Sequence, residues 1–134
     1  MTPDEARARL SGARVAHLAT AGADGRPHVV PCTFAVLGDT IVSAVDHKPK
    51  RTTALRRLAN IAANPHVSLL ADHYDEDWRA LWWARADGTA RVTEAAEPEL
   101  RAALVARYAQ YAEHPPDGAL IVIAVERWSG WASR

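Results

Sequence analysis

The 134-residue sequence contains one cysteine, one methionine and one phenylalanine, and it has no long apolar segment. The single Cys32 excludes a disulfide within the chain, which is typical of a protein in a reducing compartment. No apolar run approaches the roughly 20 residues that a membrane-spanning helix needs. The first residues also lack the charged and apolar regions of a signal peptide. These absences predict a cytoplasmic protein with no membrane partner.

An excess of either charge is missing too, because 16 Lys and Arg residues balance 16 Asp and Glu residues. A neutral chain without an extended basic stripe has no general attraction to nucleic acid. The six His residues are scattered without the spacing of a zinc site, so we expect no bound metal. No Ser-His-Asp set and no catalytic pair of carboxylates stands out. If the chain is an enzyme, a coenzyme is expected to carry the chemistry.

The apolar pattern predicts short strands interrupted by a few helices. Strands are predicted at 14–20, 27–37, 40–46, 66–72, 81–93 and 119–125, and helices at 3–11, between 52 and 63, and from residue 98. The predicted order is α-β-β-β-α-β-β-α-β. Antiparallel strands joined in sequence, with short helices at their ends, are typical of a small β-barrel. We therefore expect one mainly β (α+β) domain spanning residues 1–134.

One short segment concentrates the positive charge of the chain. The strand at 40–46 ends before Lys48, Pro49, Lys50 and Arg51, and a helix follows directly. A basic loop leading into a helix N-terminus, where N–H groups are free, suits an anion, above all a phosphate. Pro49 restricts the backbone of this loop. A solvated basic loop is the alternative interpretation. We call residues 48–51 the basic corner.

Several motifs occur together in an order that resembles a known family. They are Asp-Gly-Arg-Pro-His-Val-Val-Pro at 24–31, the basic corner, Asn-Pro-His-Val-Ser-Leu at 64–69, Asp-Gly-Thr-Ala-Arg-Val at 87–92 and Trp-Ser-Gly-Trp at 128–131. The chain resembles the pyridoxamine 5′-phosphate oxidase-like split β-barrel superfamily over nearly its whole length. It looks most similar to the actinobacterial branch of probable coenzyme F420-dependent enzymes.

This resemblance implies a homodimer of antiparallel split β-barrels that holds a flavin or deazaflavin in a groove between the subunits. The phosphate would be bound by the basic corner, and the tricyclic ring would lie against strand edges at 28–33 and 43–44. The cofactor-binding residues implied are His28, Thr33, Ser43, Ala44, Lys48, Lys50, Arg51 and Trp83.

The function implied is transfer of a hydride between coenzyme F420 and a small unsaturated or quinone-like acceptor. The full set of residues that binds FMN in the pyridoxamine oxidases is not found here, which favours the deazaflavin over FMN. An FMN-binding oxidase or reductase, and a carrier of deazaflavin or haem without catalysis, remain as alternatives. No catalytic residue is identified, although His28 is a candidate for donating to the ring or the substrate. Cys32 lies on an apolar strand face, which indicates a core residue.

Overall fold

The computed structural model describes residues 1–45 and 51–133, with the backbone alone at 51–55. The elements in chain order are α1 Pro3–Gly12, β1 Ala16–Ala21, β2 Pro27–Cys32, β3 Ala35–Leu37, β4 Thr40–Ala44, α2 Arg51–Ala63, β5 His66–His73, a 3₁₀ turn Trp78–Ala80, β6 Trp82–Thr93, α3 Pro98–Arg107, α4 Ala109–Glu113 and β7 Leu120–Ala132.

The strands form one antiparallel sheet in the order β2-β1-β5-β6-β7-β4-β3. Its inner face carries the larger apolar cluster, which includes Leu18, Leu69 and Ile121 and is closed by Leu10 of α1. Leu120 and Val122 of β7 point the other way, because side chains alternate along a strand, and they pack against α3. The antiparallel, mainly β architecture predicted from the sequence is confirmed.

The start of α1 follows its local sequence. Thr2 accepts a hydrogen bond from the Glu5 backbone N–H at 3.1 Å, while the Glu5 carboxylate accepts one from the Thr2 backbone N–H at 2.7 Å. This reciprocal capping satisfies N–H groups that the helix leaves free, and Pro3 stands at the first helical turn, where its missing donor costs nothing. The helix predicted at 3–11 is therefore present and extends through Gly12.

The strand predicted at 27–37 is two strands, because β2 ends at Cys32 and β3 begins at Ala35. We call residues 33–34 the Thr33 turn. At this turn the Phe34 backbone is bound by side chains: its N–H donates to the Tyr108 hydroxyl at 3.1 Å, and its carbonyl accepts from Arg107 Nη1 at 3.0 Å. Arg107 also donates to the Ala13 carbonyl. Side-chain bonds from Arg107, the last residue of α3, and from Tyr108 thus replace strand pairing at the turn.

The helix predicted from residue 98 is also divided in two. Tyr108 has an extended backbone (φ −124°, ψ 120°) between α3 and α4. Its hydroxyl lies within hydrogen-bonding distance of the carbonyls of Arg14 and Phe34, at 2.9 and 3.0 Å. The helix breaks at the residue whose side chain reaches the Thr33 turn.

The bend predicted at Asp87-Gly88 is confirmed as a register shift in the pairing of β6 with β7. Gly88 is required there, because a Cβ atom at this position would collide with the carbonyl of Ala124. The shift lets β7 continue beyond the apolar segment predicted at 119–125 and pair with β6 as far as Ala132.

Candidate functional site

Two free strand edges meet at the Thr33 turn. β2 is the first strand of the sheet and pairs only with β1, so residues 27–32 form one edge. β3 pairs with β4 only through residues 40–42, which leaves Ser43 and Ala44 on a second edge beyond it. Unpaired backbone groups on such edges are free to hydrogen-bond a ligand. The segments predicted to flank a ring, 28–33 and 43–44, are therefore both edge segments in the described structure.

The side chains at these edges are largely used within the protein. Ser43 is 2% exposed, and its hydroxyl donates to the Thr33 carbonyl at 2.7 Å. The Thr33 hydroxyl pairs with the Tyr111 hydroxyl of α4 at 2.9 Å. Ala44 is half-buried and packs with the cluster under α3. Ser43 and Tyr111 thus hold the Thr33 turn, and the backbone is the part that remains free for a ligand.

His28 carries an unsatisfied buried atom on the β2 edge. Its Nδ1 is buried and has no hydrogen-bond partner among the described residues. The residue stands opposite Thr20, whose hydroxyl accepts from Asn60 Nδ2 of α2 at 3.0 Å. A buried nitrogen without a partner is costly unless something binds it. Among the predicted site residues whose side chains are described, His28 is the one with a buried polar atom that lacks a partner.

Arg57, which lies on α2 one turn beyond the basic corner, is a buried cation. It is 8% exposed on α2, and its Nε has no partner in the part of the chain that the structure describes. Arg57 lies close enough to Cys32 to act on its ionisation. Burial raises the pKa of the Cys32 thiol, and the neighbouring Ser43 hydroxyl and Arg57 charge oppose that rise without cancelling it. Cys32 is therefore a neutral core residue.

The basic corner lies mostly outside the described residues. Lys48 and Lys50 fall in the undescribed segment 46–50, and Arg51 is described only as the first backbone position of α2. The binding of phosphate by these three side chains therefore stays a prediction. The backbone supports one part of it: α2 begins at residue 51, so its free N–H groups lie directly after the two lysines.

Trp83 lines a cavity at the far end of the sheet. The cavity has a volume of about 440 Å³, and we call it the tryptophan cavity; it is lined by Leu70, Asp72, His73, Tyr74, Leu81, Trp82, Trp83, Arg85 and Trp131. The guanidinium of Arg85 lies 5.5 Å from the centre of the Trp83 ring. Its Nε donates to Asp87 at 3.1 Å, and the Ser68 hydroxyl donates to the same carboxylate at 2.5 Å.

The structure does not bring Trp83 near Ser43 within one chain. Trp83 pairs with Trp131 and Ser43 pairs with Ile121, and these partners are ten residues apart along β7. At roughly 3.3 Å per residue the contour between them is about 30 Å. Within one chain, Trp83 and the Ser43–Ala44 edge therefore pair near opposite ends of β7.

The outer face of the sheet carries exposed apolar residues on three of its strands. We use this name for the face opposite the larger cluster; on it Val29, Leu70 and Trp131 are 59%, 36% and 47% exposed. Arg85 and Asp87 form a half-buried ion pair on the same face.

The described ranges 1–45 and 51–133 lack the features of a metal site and of a membrane-spanning helix. They contain no group of three His, Cys, Asp or Glu residues placed to hold a metal ion. None of the described helices has the length and apolar character needed to cross a bilayer.

Solved structures share this fold. A conserved hypothetical protein from Mycobacterium tuberculosis is 24% identical, with a TM-score of 0.72 over 100% of this chain and 86% of that one. A haem-binding protein from Mycobacterium smegmatis is 24% identical with a TM-score of 0.77, over 98% of this chain but about half (54%) of that one. An FAD-binding protein from Mycobacterium smegmatis is 22% identical with a TM-score of 0.65, over 100% and 98%.

Comparison with curated protein sequences gives no match. Residues 2–132, by contrast, match the sequence family described as pyridoxamine 5′-phosphate oxidase. With the antiparallel sheet, this match confirms the predicted split-barrel fold and the predicted superfamily. Since the match runs over almost every residue, the chain belongs to the pyridoxamine 5′-phosphate oxidase family.

Proposed function

We propose that this chain is a homodimeric oxidoreductase that binds coenzyme F420 in a groove between two subunits. One subunit contributes the two strand edges, His28 and the basic corner, and its partner contributes Trp83. The observation that carries the proposal is the buried, unpartnered Nδ1 of His28 on the free edge of β2, which meets a second free edge at the Thr33 turn. A flat ring with carbonyl and N–H groups along its rim would satisfy both the imidazole and the edge backbone.

The described residues are better suited to holding such a ring than to catalysis by protein side chains without a coenzyme. Neither a metal-binding cluster nor an activated thiol is present in the described ranges, since Cys32 is buried with a raised pKa. When bound, reduced deazaflavin supplies a hydride from its ring carbon C5. The chain then has only to hold the ring, exclude water and place an acceptor next to it. We propose that His28 donates a hydrogen bond at the ring edge and that solvent or His28 provides the proton.

Flavin binding is the second candidate. It is favoured by the likeness to the FAD-binding protein from Mycobacterium smegmatis, which extends over the whole chain. Coenzyme F420 is preferred because the chain resembles the F420-dependent branch and lacks the full FMN-binding set of the oxidases. A carrier without catalysis would use the same groove. Only an activity assay distinguishes it from an F420-dependent or a flavin-dependent enzyme.

Titration of the purified protein with coenzyme F420 and with FMN tests the choice of coenzyme. We expect tighter binding of F420, and we expect Lys50→Ala to weaken it by about 1.5–3 kcal/mol, or roughly 10- to 150-fold in Kd, because a charge-assisted bond to phosphate is lost. Arg91→Ala, which removes an exposed cation on β6, is the matched control and should bind as wild type. Unchanged affinity in Lys50→Ala would show that the basic corner is only a solvated loop.

The same sample tests catalysis. Coenzyme carrying deuterium at C5 is mixed with a panel of enones and quinones, and the reduced products are analysed by mass spectrometry. Deuterium in a product supports hydride transfer. Its absence from every product, together with tight F420 binding, would leave the carrier as the function.

A dimer is expected from the outer face. Val29→Glu places a charge on its most exposed apolar residue and should shift the mass in light scattering from twice the 14.6 kDa chain mass toward the single mass. Trp78→Asp, on the 3₁₀ turn and 67% exposed, is the control and should remain dimeric. A wild-type protein that is monomeric at micromolar concentration would contradict the two-subunit groove.

A further inference from the structure

We propose that Tyr111 is a positioning residue of the coenzyme site. By donating a hydrogen bond to the Thr33 hydroxyl, it leaves Thr33 to donate a hydrogen bond of its own to a carbonyl oxygen on the rim of the coenzyme ring. This inference rests on the proposed function, because it assigns two roles within that groove. It concerns a contact within one subunit, and its test is a binding measurement that needs no turnover.

Thr33 lies where the two free strand edges meet. It follows the β2 edge directly, and its carbonyl accepts from the Ser43 hydroxyl of the second edge at 2.7 Å. The carbonyl of Thr33 is therefore bound within the protein, and its hydroxyl is the side-chain donor at this junction. The residue is half-buried, so a ligand lying against both edges can reach its side chain.

The chemistry of the pair decides which hydroxyl donates. The oxygens of Thr33 and Tyr111 are 2.9 Å apart, a distance that suits either direction. A phenol is a stronger acid than an aliphatic alcohol, so the favoured arrangement has Tyr111 donating and Thr33 accepting. A hydroxyl that accepts one hydrogen bond can still donate another, and accepting strengthens it as a donor. Among the described residues the Thr33 hydroxyl has no other partner, which leaves its proton to a ligand.

Tyr111 is held in place by packing. It belongs to the cluster under α3, which includes Val42 and Leu120. Its ring meets that of Tyr108 edge to face, with the ring centres 5.7 Å apart and the planes at 80°. A ring fixed in this way presents its hydroxyl in one direction. The Thr33 hydroxyl is then ordered before a ligand arrives and loses little freedom on binding.

Tyr108 provides a contrast on the same segment. Its hydroxyl accepts from the Phe34 N–H at 3.1 Å and lies 2.9 and 3.0 Å from the carbonyls of Arg14 and Phe34. These contacts are all to backbone groups, which makes Tyr108 a residue of fold stability. The hydroxyl of Tyr111 instead reaches a side chain at the candidate site.

A double-mutant cycle tests the pair. Fluorescence titration with coenzyme F420 compares wild type, Thr33→Val, Tyr111→Phe and the variant with both changes. We expect Thr33→Val to weaken binding about 10-fold through the loss of one hydrogen bond, and Tyr111→Phe to weaken it about 3-fold. In the Thr33→Val background Tyr111→Phe should have no further effect, because the hydroxyl through which it acts is gone. Thr33→Ser keeps the hydroxyl and should bind as wild type does.

Tyr108→Phe is the matched control, since it removes another tyrosine hydroxyl from the same segment. It should lower the midpoint of urea denaturation, whereas Tyr111→Phe should leave the midpoint close to that of wild type. Any effect of Tyr108→Phe on affinity should be the same with Thr33→Val as without it. Equal weakening by Tyr111→Phe in both backgrounds would show that Tyr111 only shapes the turn, and unchanged affinity in Thr33→Val would remove the donor. Either result would overturn the proposal.

The same variants separate this inference from the proposed function. Tight F420 binding with additive losses would overturn the role of Tyr111 and leave the F420 proposal in place. If F420 fails to bind while FMN binds with the coupled losses, the reverse holds, since both rings carry carbonyl oxygens on their rims. A wild-type protein that binds neither coenzyme would overturn both.

Discussion

Replacing Arg101 by methionine is expected to lower the free energy of unfolding by about 3–5 kcal/mol. The guanidinium donates four hydrogen bonds to backbone carbonyls, those of Ala95, Ala96, Pro116 and Gly118, at 2.6–3.0 Å. Each bond to a charged group contributes about 1.5–3 kcal/mol, and partial exposure reduces the sum. Urea denaturation followed by circular dichroism measures the loss.

Arg101 also bears on the candidate site. Two of the four carbonyls, those of Pro116 and Gly118, come just before β7, and the next residue, Ala119, accepts a hydrogen bond from the Val45 N–H beside the Ser43–Ala44 edge. Arg101→Met should therefore loosen this edge and reduce coenzyme affinity as well. Arg101→Lys should lose less stability, because an ammonium group can reach only some of the carbonyls. Arg91→Met, an exposed control, should stay within about 0.5 kcal/mol of wild type. A loss below 1 kcal/mol in Arg101→Met would show that water replaces the guanidinium.

Gly88→Ala is expected to cost about 2–4 kcal/mol. The added methyl group would meet the Ala124 carbonyl and the Val125 Cα, and backbone cannot move aside as a flexible side chain can. The register shift between β6 and β7 would have to change, and with it the pairing of Trp83 with Trp131. Urea denaturation gives the loss, and the Trp83 indole N–H signal in a ¹⁵N-labelled NMR spectrum should report the altered pairing.

Gly12→Ala is the matched control for this substitution. A Cβ atom there meets no heavy atom within 4 Å, and Gly12 is the last residue of α1. Its stability should be unchanged or raised by up to about 1 kcal/mol, since alanine favours the helix. Equal effects of the two substitutions would mean that the collision at Gly88 is relieved by small movements of the strands.

Features determined by neighbouring residues could be predicted from the sequence. The start of α1 depends on Thr2, Pro3 and Glu5 alone, and the bend at Asp87-Gly88 depends on one glycine. The strand edges at 28–33 and 43–44 were implied by the family resemblance, and both segments lie on edges of the sheet.

Features determined by distant residues could not be predicted. The break between β2 and β3 results from bonds that Arg107 and Tyr108 make to Phe34, more than 70 positions away. Helical spacing predicts one apolar stripe of Leu55, Leu58, Ala59 and Ala62 on α2. Ala59 and Ala62 are instead exposed, while Arg57 and Ile61 are buried. Arginine in an apolar pattern is normally assigned to solvent, and only the fold shows that Arg57 lies near Cys32.

The length of β7 has a consequence for mixed populations of subunits. Because Ser43 and Trp83 pair with residues near opposite ends of this strand, each proposed groove takes its ring edges from one subunit and its tryptophan from the other. In a hybrid of a Trp83-defective and a Lys50-defective subunit, one groove inherits both defects and the other inherits none. Random exchange makes half of the dimers hybrid, so two inactive parents would together regain about a quarter of the grooves. Two substitutions that each abolish activity when both subunits carry them would then complement each other in the hybrid.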